Sequence, residues 1–330
     1  MNSQRLTSAW PADKWGWSVL ERWRIYQRER FPLVLHGPVI AAFALSATTF
    51  ALLARQQLGL PGLKPFLAAF VSSLAFFFQL RIADEWKDSA EDARFRAYRP
   101  VPRGLISLRE LAAACLLAGA LQLALAFWLG PGMVGRLLIV WAFIGLMSKE
   151  FFLHDWLRRR PVLYMLSHML VVPLIYWYAA ACVGPSTSSR RYGQASMGLL
   201  LMLAAGFFSG ILVEIGRKLR APEEEETGVA TYSVTWGIRK SVLAWNSALL
   251  LAFVFAGAAA ASVGAVMLAA AILSPALALA LGCSLLYKRR PTPRYARFME
   301  LTSGAWTLVL YMVLGPLVVF FKLAAAGRHP

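Results

Sequence analysis

Residues 65–104 read PFLAAFVSSLAFFFQLRIADEWKDSAEDARFRAYRPVPRG, an apolar run that ends in closely spaced carboxylates and then arginines. A helix needs about 20 mostly apolar residues to cross a bilayer, and the first part of this stretch is close to that length. Because ionised side chains are costly inside lipid, the carboxylates and arginines belong at the membrane surface. The stretch therefore predicts a membrane-spanning helix with a strongly charged end.

Similar apolar runs recur along the whole chain. Its 330 residues are 58% hydrophobic, with a mean hydropathy of +0.56, whereas soluble domains are about 45–50% apolar. A large soluble helical protein is the alternative, and the ninefold recurrence of such runs argues against it. We predict an all-α polytopic membrane protein with nine transmembrane helices, at 31–54, 65–83, 110–129, 132–148, 161–184, 195–213, 240–260, 264–287 and 301–322.

Lys and Arg residues concentrate in alternate connecting segments. If the N-terminus and the segments after spans two, four, six and eight share one side, that side holds 27 of the 34 Lys and Arg residues. The positive-inside rule predicts that this side, with the N-terminus, is cytoplasmic. Topology and contact with anionic membrane lipid then explain the net charge of +17, and no nucleic-acid partner is expected.

The chain divides into two parts. Residues 15–30, WGWSVLERWRIYQRER, alternate tryptophans with charges, which is typical of an amphipathic helix on a membrane surface. A plain solvated helix is the alternative. We predict that residues 1–30 form a cytoplasmic amphipathic N-terminal segment and that residues 31–330 form a single membrane domain.

Acidic residues concentrate in two segments that follow spans two and six. Residues 84–92 and the region from Glu214 to Glu226 hold 10 of the 17 acidic residues. Asp84, Asp88 and Asp92 are four residues apart and share one face if the span continues as a helix, where their like charges repel. A solvated helix end with salt bridges explains one such segment, but two at matching helix ends favour a shared function.

Mg²⁺ would compensate this repulsion, since it is typically bound by one or two carboxylates together with phosphate oxygens and water. The pattern predicts Mg²⁺ held between protein carboxylates and a diphosphate. Arg and Lys residues nearby would bind the remaining phosphate oxygens. The candidate metal ligands are Asp84, Asp88, Asp92, Glu214, Glu223, Glu224 and Glu226, and the candidate diphosphate ligands include Arg96, Arg99, Arg103, Arg217 and Lys218.

A diphosphate site in a membrane predicts a substrate with a lipid-like tail. The most natural chemistry is ionisation of an allylic diphosphate, in which metal and basic groups stabilise the leaving group. Asp84, Asp88, Asp92 and Lys218 are the candidate catalytic residues. Aromatic faces would stabilise the allylic cation, and the candidate cation and tail pocket comprises Phe77, Phe78, Trp141, Tyr164, His168 and Phe207.

The first charged segment resembles a motif of the UbiA superfamily of intramembrane prenyltransferases, which includes a terpene cyclase branch. That motif reads Asn-Asp-x-x-x-Asp-x-x-x-Asp with an Arg-Pro a few residues later. Here the three aspartates are followed by Arg99-Pro100, VPRG resembles the family's Pro-x-Gly ending, and Ala83 replaces the leading Asn. In the second motif, Lys218, Gly228, Thr231 and Gly237 match, but glutamates replace the spaced aspartates, which leaves the ligands of that segment open.

The resemblance implies a helical bundle around a central cavity, Mg²⁺ as cofactor and a prenyl diphosphate substrate. It also implies that basic residues after span four, such as Lys149 and Arg158, help to bind diphosphate. We expect an enzyme in the cytoplasmic (inner) membrane of a bacterium, with its active site facing the cytoplasm.

Three functions are compatible with these residues. The first is prenyl transfer to a small acceptor, which is aromatic or lipid-like. The second is cyclisation of the prenyl chain without an acceptor, which the scarcity of polar residues within the spans slightly favours. The third is cation transport, which is disfavoured because transporters place ionisable groups near the midplane of the membrane rather than at helix ends.

Overall fold

A computed structural model describes residues 16, 18–184, 192–226, 228–229 and 231–326, and only the backbone of residues 192–196. No β-strand occurs in these ranges. Nine stretches of the described chain are helical, long and apolar enough to cross a membrane, which confirms the prediction of an all-α protein with nine spans. The spans are Leu33–Ala54, Leu63–Lys87, Leu108–Leu129, Pro131–Ser148, Pro161–Ala181, Met197–Arg217, Tyr232–Ser262, Val266–Arg289 and Pro293–Ala326.

Several of these spans consist of more than one helix, and short helices lie between others. In chain order the α-helices are α1 (Val19–Arg30), α2 (Leu33–Ala54), α3 (Leu63–Lys87), α4 (Ser89–Phe95), α5 (Leu108–Leu129), α6 (Pro131–Ser148), α7 (His154–Arg158), α8 (Pro161–Met169), α9 (Val171–Ala181), α10 (Tyr192–Arg217), α11 (Tyr232–Ser262), α12 (Val266–Arg289), α13 (Pro293–Met312) and α14 (Val318–Ala326). Single 3₁₀ turns cover Glu150–Phe152 and Pro222–Glu224, and a π-helical turn covers Val313–Leu317.

Proline accounts for the breaks within the fifth and ninth spans. Pro173 lacks the N–H that would bond the carbonyl of Met169, and the helix breaks there between α8 and α9. In the ninth span, Pro316 follows Gly315, whose backbone leaves the helical region at φ −122° and ψ −108°. Both breaks lie where the span packs beside α2 or α10.

The charged segment after the second span leaves it as a separate short helix. α3 ends at Lys87, and Asp88, at φ −88° and ψ 2°, links it to α4. The backbone N–H of Asp88 donates to the Asp84 carbonyl at 2.9 Å, and that of Asp92 donates to the Asp88 carbonyl at 2.8 Å. The chain therefore stays helical in character but is bent at the middle aspartate.

α2 is the most buried of the nine spans, and α12 is the least buried. Ala44, Ala47 and Phe50 of α2 have no exposed surface. By contrast Leu279 of α12 is 70% exposed, as expected of a side chain that faces lipid. The bundle is thus built around α2, and the candidate site lies beside it.

The N-terminal segment contains helix α1, which packs against the membrane domain. Ser18 and Glu21 form a capping box at its start. Tyr26 is buried in a small core with Ile82 of α3 and Leu111 of α5, and other side chains of α1 remain exposed. Trp15 and Trp17 lie outside the described residues, so contact of this segment with the membrane surface stays a prediction, as does the cytoplasmic N-terminus.

Candidate active site

A cavity of about 730 Å³ opens among the ends of α2, α3, α8, α10 and α13. Its outer part, which we name the charged mouth, is lined by Arg30, Arg81, Asp84, Lys87, Asp88, Glu91, Arg96, Arg99, Glu214, Arg217, Lys218 and Arg220. Its inner part, which we name the apolar chamber, is lined by Val39, Ile40, Phe43, Phe77, Leu80, Met147, Met169, Val171, Val172, Val213 and Tyr311. The cavity therefore joins an ionic compartment to an apolar one.

Asp84 and Asp88 lie one helical turn apart and both face the charged mouth. Asp84 is half exposed and lies 3.6 Å from Arg81. Among the described residues, no cation lies within salt-bridge distance of the Asp88 carboxylate. Burial, followed by repulsion from Asp84 and Asp92, raises the pKa of Asp88 above its ordinary value. These two carboxylates form an anionic pair that the protein itself only partly neutralises.

Asp92 has a different environment because the chain bends at Asp88. Its side chain is almost fully buried and does not line the cavity. Its two oxygens accept hydrogen bonds from Arg96 at 2.8 Å and from Arg99 at 2.6 Å, and both arginines line the mouth. Asp92 thus fixes the position of two cations, and its own charge is compensated.

The end of α10 supplies the opposite wall of the mouth. Glu214 is buried, accepts a charged hydrogen bond from Arg217 and lies 2.9 Å from the ammonium of Lys218. Arg217 and Lys218 line the cavity with it. Spacing by three and four residues along one helix places the three side chains together. This carboxylate, like Asp92, is paired with two cations.

The glutamate run lies outside the cavity. Glu223, Glu224 and Glu226 are exposed, whereas the half-buried Glu225 accepts a hydrogen bond from the Thr231 hydroxyl at 2.8 Å. Thr231 lines the cavity and also caps the start of α11 by accepting a hydrogen bond from the Val234 N–H. The run therefore connects to the site through Thr231 and Glu225.

Gly228 brings the segment after α10 against α4. Its φ of +80° lies in the left-handed region, and a Cβ at this position would lie 2.6 Å from the ring of Phe95. Only glycine fits both the backbone conformation and the close contact. The two charged segments, more than 100 residues apart in sequence, meet here at one side of the cavity.

A group that the sequence analysis missed adjoins the mouth. Lys87 donates to the Tyr164 hydroxyl and pairs with the buried Glu150 at 2.5 Å, and Glu150 also contacts His154. Burial acts to raise the pKa of Glu150, but hydrogen bonding and attraction to Lys87, then to His154, outweigh it and lower the pKa. Lys87 lies between two of the predicted aspartates, which is a signal in the sequence, but nothing local to Glu150 marks it as the partner.

The remaining predicted site residues divide into two groups. Phe77, Tyr164 and His168 line the cavity. The other six lie outside the cavity lining. Three of them are basic: Arg103 pairs with Glu29, and Lys149 and Arg158 are exposed. The other three are aromatic: Phe78 packs on Phe31, Trp141 donates to Gln122 at 3.0 Å, and Phe207 contacts Phe208.

The donor groups of the cavity decide how Mg²⁺ could be bound. In the part of the chain that the structure describes, no three acidic, His or Cys side chains lie close enough to hold a metal without help. The Asp84 and Asp88 pair matches the alternative mode, in which one or two carboxylates bind Mg²⁺ and substrate phosphates supply further oxygens.

Comparisons with known proteins identify the family of this chain. A sequence model described as the UbiA prenyltransferase family matches residues 44–304, which include both charged segments. The chain belongs to the UbiA prenyltransferase family. Membership confirms the resemblance seen in the first motif. The general activity that this family membership supports is prenyl transfer within a membrane.

Two solved structures share the UbiA fold with this chain. One is the apo structure of a UbiA homologue from Aeropyrum pernix K1, with 17% identity, a TM-score of 0.62, and coverage of 87% of this chain and 98% of that one. The other is a digeranylgeranylglyceryl phosphate synthase, with 14% identity, a TM-score of 0.56, and coverage of 89% and 99%. A search of curated proteins found no match.

Proposed function

We propose that this UbiA-family protein ionises an allylic prenyl diphosphate in a Mg²⁺-dependent reaction and transfers the prenyl group to a small aromatic or lipid-like acceptor. The observation that carries this proposal is the joining of the charged mouth and the apolar chamber in one cavity. Such a cavity fits a molecule with an anionic head and a hydrocarbon tail. The positive-inside rule supports placing the mouth on the cytoplasmic side.

The charged mouth supplies a binding site for the diphosphate. Among the described residues it contains eight Lys or Arg side chains and four carboxylates. Three further carboxylates outside the lining, Glu85, Asp92 and Glu150, pair with four of those cations, which leaves an excess of one positive charge to attract an anionic head group. Arg96 and Arg99, held by Asp92, offer planar guanidinium groups that can bind phosphate oxygens in pairs. Lys218 and Arg217 offer further cations from the opposite wall.

Asp84 and Asp88 are the residues that would hold Mg²⁺, because Asp92 and Glu214 are already paired with two cations each. When bound, Mg²⁺ would withdraw charge from the departing diphosphate as a Lewis acid. The exposed Glu223, Glu224 and Glu226 receive no role in this proposal. The proposal therefore narrows the set of Mg²⁺ ligands predicted from the sequence to Asp84 and Asp88.

In the chemical step the bond between the allylic carbon and the diphosphate oxygen breaks, and its electron pair leaves with the diphosphate. The ring of Phe77, which lines the cavity, can stabilise the allylic cation, whereas the ring of Tyr164 is already covered by Lys87 and His168. The acceptor then forms a bond to that carbon and loses a proton. His168 is a candidate to take it, since its Nδ1–H donates to the Tyr164 carbonyl at 2.8 Å and leaves the Nε2 lone pair without a partner among the described residues.

The test uses purified protein in lipid nanodiscs with allylic diphosphates of ten, fifteen and twenty carbons, with Mg²⁺ or EDTA. Each is incubated with no acceptor, with an aromatic acceptor and with a glyceryl phosphate lipid, the last because a similar fold belongs to a digeranylgeranylglyceryl phosphate synthase. Diphosphate release and organic products are measured.

We expect diphosphate release that requires Mg²⁺ and a prenylated product that requires an acceptor. If a cyclic hydrocarbon forms without an acceptor, the reaction is cyclisation of the prenyl chain and not transfer. The absence of diphosphate release from every substrate would overturn the proposal.

A further inference from the structure

The apolar chamber is shallow because it ends about halfway along the helices that line it. On α3 the cavity-lining residues run from Lys87 inward to Phe77, ten residues or about 15 Å of helix. On α2 they run from His36 to Phe43, and Ala47 and Phe50, one and two turns deeper, have no exposed surface. The chamber therefore has a closed inner end at the level of Phe43 and Phe77.

That end consists of interlocked aromatic rings, which we name the aromatic floor and define as Phe43, Tyr176 and Tyr311. The ring of Phe43 meets Tyr176 and Tyr311 edge to face, each at 5.2 Å between centroids, and meets Phe77 in the same way at 5.7 Å. Tyr176 and Tyr311 stack at 5.9 Å. Phe43 and Tyr311 line the cavity, and Tyr176 lies behind them.

The structure behind the floor leaves little freedom for it to move. The Tyr176 hydroxyl is hydrogen-bonded to Ser46 at 3.1 Å. The kink after α13 packs directly on α2, since a Cβ on Gly315 would lie 2.7 Å from the Cα of Ser46. Leu314 in this kink is fully buried. A group that passed the floor would have to displace close-packed side chains, which is costly in a protein interior.

We propose that the aromatic floor sets the longest prenyl tail that the site accepts, with Phe43 as the specificity-determining residue. This inference rests on the proposed function. The diphosphate is fixed at the mouth, so the reach of the tail is measured from there. A tail that ends at Phe43 fits the chamber, whereas each further isoprene unit collides with the floor.

Two substitutions should shift the preference in opposite directions. Phe43→Ala removes a ring from the floor and lengthens the chamber. Val39→Phe adds a ring about one turn nearer the mouth on the same helix and shortens it. The matched control is Phe76→Ala, which removes an equally buried ring of α3 that packs on Tyr178 at 5.3 Å and does not line the cavity.

The measurement is kcat/KM for diphosphates of ten, fifteen and twenty carbons in the Mg²⁺-containing assay. Pockets distinguish a single methylene by about 10–200-fold, so we expect Phe43→Ala to raise the ratio of the longer to the shorter substrate by about 10-fold or more. Val39→Phe should lower that ratio, and Phe76→Ala should leave it unchanged. Opposite shifts cannot arise from a general loss of stability.

A binding measurement supports the kinetic one. Uncleavable thio-analogues of the same three diphosphates should raise the thermal unfolding temperature, with the longest analogue favoured in Phe43→Ala relative to the unsubstituted protein. If Phe43→Ala does not fold, Phe43→Leu and Val39→Phe decide the question.

The outcomes separate the two proposals. An unsubstituted protein that releases no diphosphate overturns the proposed function. An active protein whose chain-length ratios stay the same in the Phe43 and Val39 variants overturns the role of the floor, and indicates that the tail leaves sideways between helices into lipid.

Discussion

The ammonium of Lys87 lies 2.5 Å from the carboxylate of Glu150 and joins the end of α3 to the turn that follows α6. Lys87 stands in sequence between Asp84 and Asp88 and lines the charged mouth with them. Glu150 belongs to a run of three consecutive non-glycine residues with left-handed backbone, Glu150–Phe152, at φ 49°, 54° and 58°. Such conformations are strained and persist where surrounding contacts enforce them. The ion pair is one of these contacts, and it connects the strained turn to the mouth.

Glu150→Gln should therefore destabilise the protein. Because Glu150 is buried and Lys87 is three-quarters buried, we expect a loss of about 1–3 kcal/mol, the range for hydrogen bonds to charged groups and for a buried group left unpaired. The thermal unfolding temperature in a fixed detergent gives the measurement. Glu223→Gln, which neutralises an exposed carboxylate outside the cavity, is the control. Equal unfolding temperatures for the two variants would contradict the pairing.

The same pair makes a prediction about pH. The pKa of Glu150 is lowered in the folded protein, so its stabilising contribution is present above the ordinary carboxyl pKa and is lost as pH falls through the lower folded value. The difference in unfolding temperature between the unsubstituted protein and Glu150→Gln should be full at neutral pH and shrink in acid. A difference that grows on acidification would contradict the assignment.

Asp88→Asn should stabilise the protein without Mg²⁺ and strongly reduce its activity. The partly buried Asp88 carboxylate is repelled by Asp84 and Asp92, so removing its charge relieves a cost that ligand binding would otherwise offset. In EDTA the variant should unfold at a higher temperature than the unsubstituted protein. With Mg²⁺ and a diphosphate present, the order should reverse, and turnover should fall by about 100-fold or more, as for loss of other transition-state charge stabilisers.

Asp155→Asn is the matched control for that experiment, because Asp155 is an exposed carboxylate of α7 that does not line the cavity. It should change neither the response to Mg²⁺ nor turnover. If Asp88→Asn retains a Mg²⁺-dependent activity equal to that of the control, Asp88 is not a ligand.

Asp92→Asn should weaken the binding of the prenyl diphosphate and leave the binding of Mg²⁺ unchanged. Asp92 is buried between Arg96 and Arg99, and breaking a buried charge pair costs about 3–5 kcal/mol. We expect a lower unfolding temperature and a higher KM for the prenyl diphosphate, with the Mg²⁺ concentration at half-maximal activity unchanged. A shift in that Mg²⁺ concentration, as expected for Asp88→Asn, would instead show that Asp92 binds metal.

These aspartates show how far the sequence predicts the site. Hydropathy alone predicted the nine spans, because a bilayer imposes length and apolarity on each one. Spacing by four predicted that Asp84, Asp88 and Asp92 share a face, but the bend at Asp88 turns Asp92 towards its own arginines. A bend of this kind depends on tertiary packing and leaves no periodic trace in the sequence.

Contacts between distant segments could not be predicted from the sequence for a related reason. Phe78 and Trp141 were candidates for the pocket because they are aromatic and lie in spans, yet helix rotation turns Phe78 towards Phe31 and Trp141 towards Gln122. Phe43, which closes the chamber, has no distinguishing neighbour in sequence. Composition identifies a residue as apolar, but only packing determines which apolar residue faces the cavity.

Gly228 gives a final test of how the two charged segments are joined. Gly228→Ala should lower activity sharply, since left-handed backbone costs a residue with a Cβ about 1–2 kcal/mol and the new Cβ would lie 2.6 Å from Phe95. Adding Phe95→Ala should recover part of the activity, because it removes the collision but not the backbone cost. Gly257→Ala is the control, since Gly257 lies within α11 with open space around it, and it should be neutral or slightly stabilising. Full activity in Gly228→Ala would mean that the segment after α10 does not have to pack on α4 for the cavity to work.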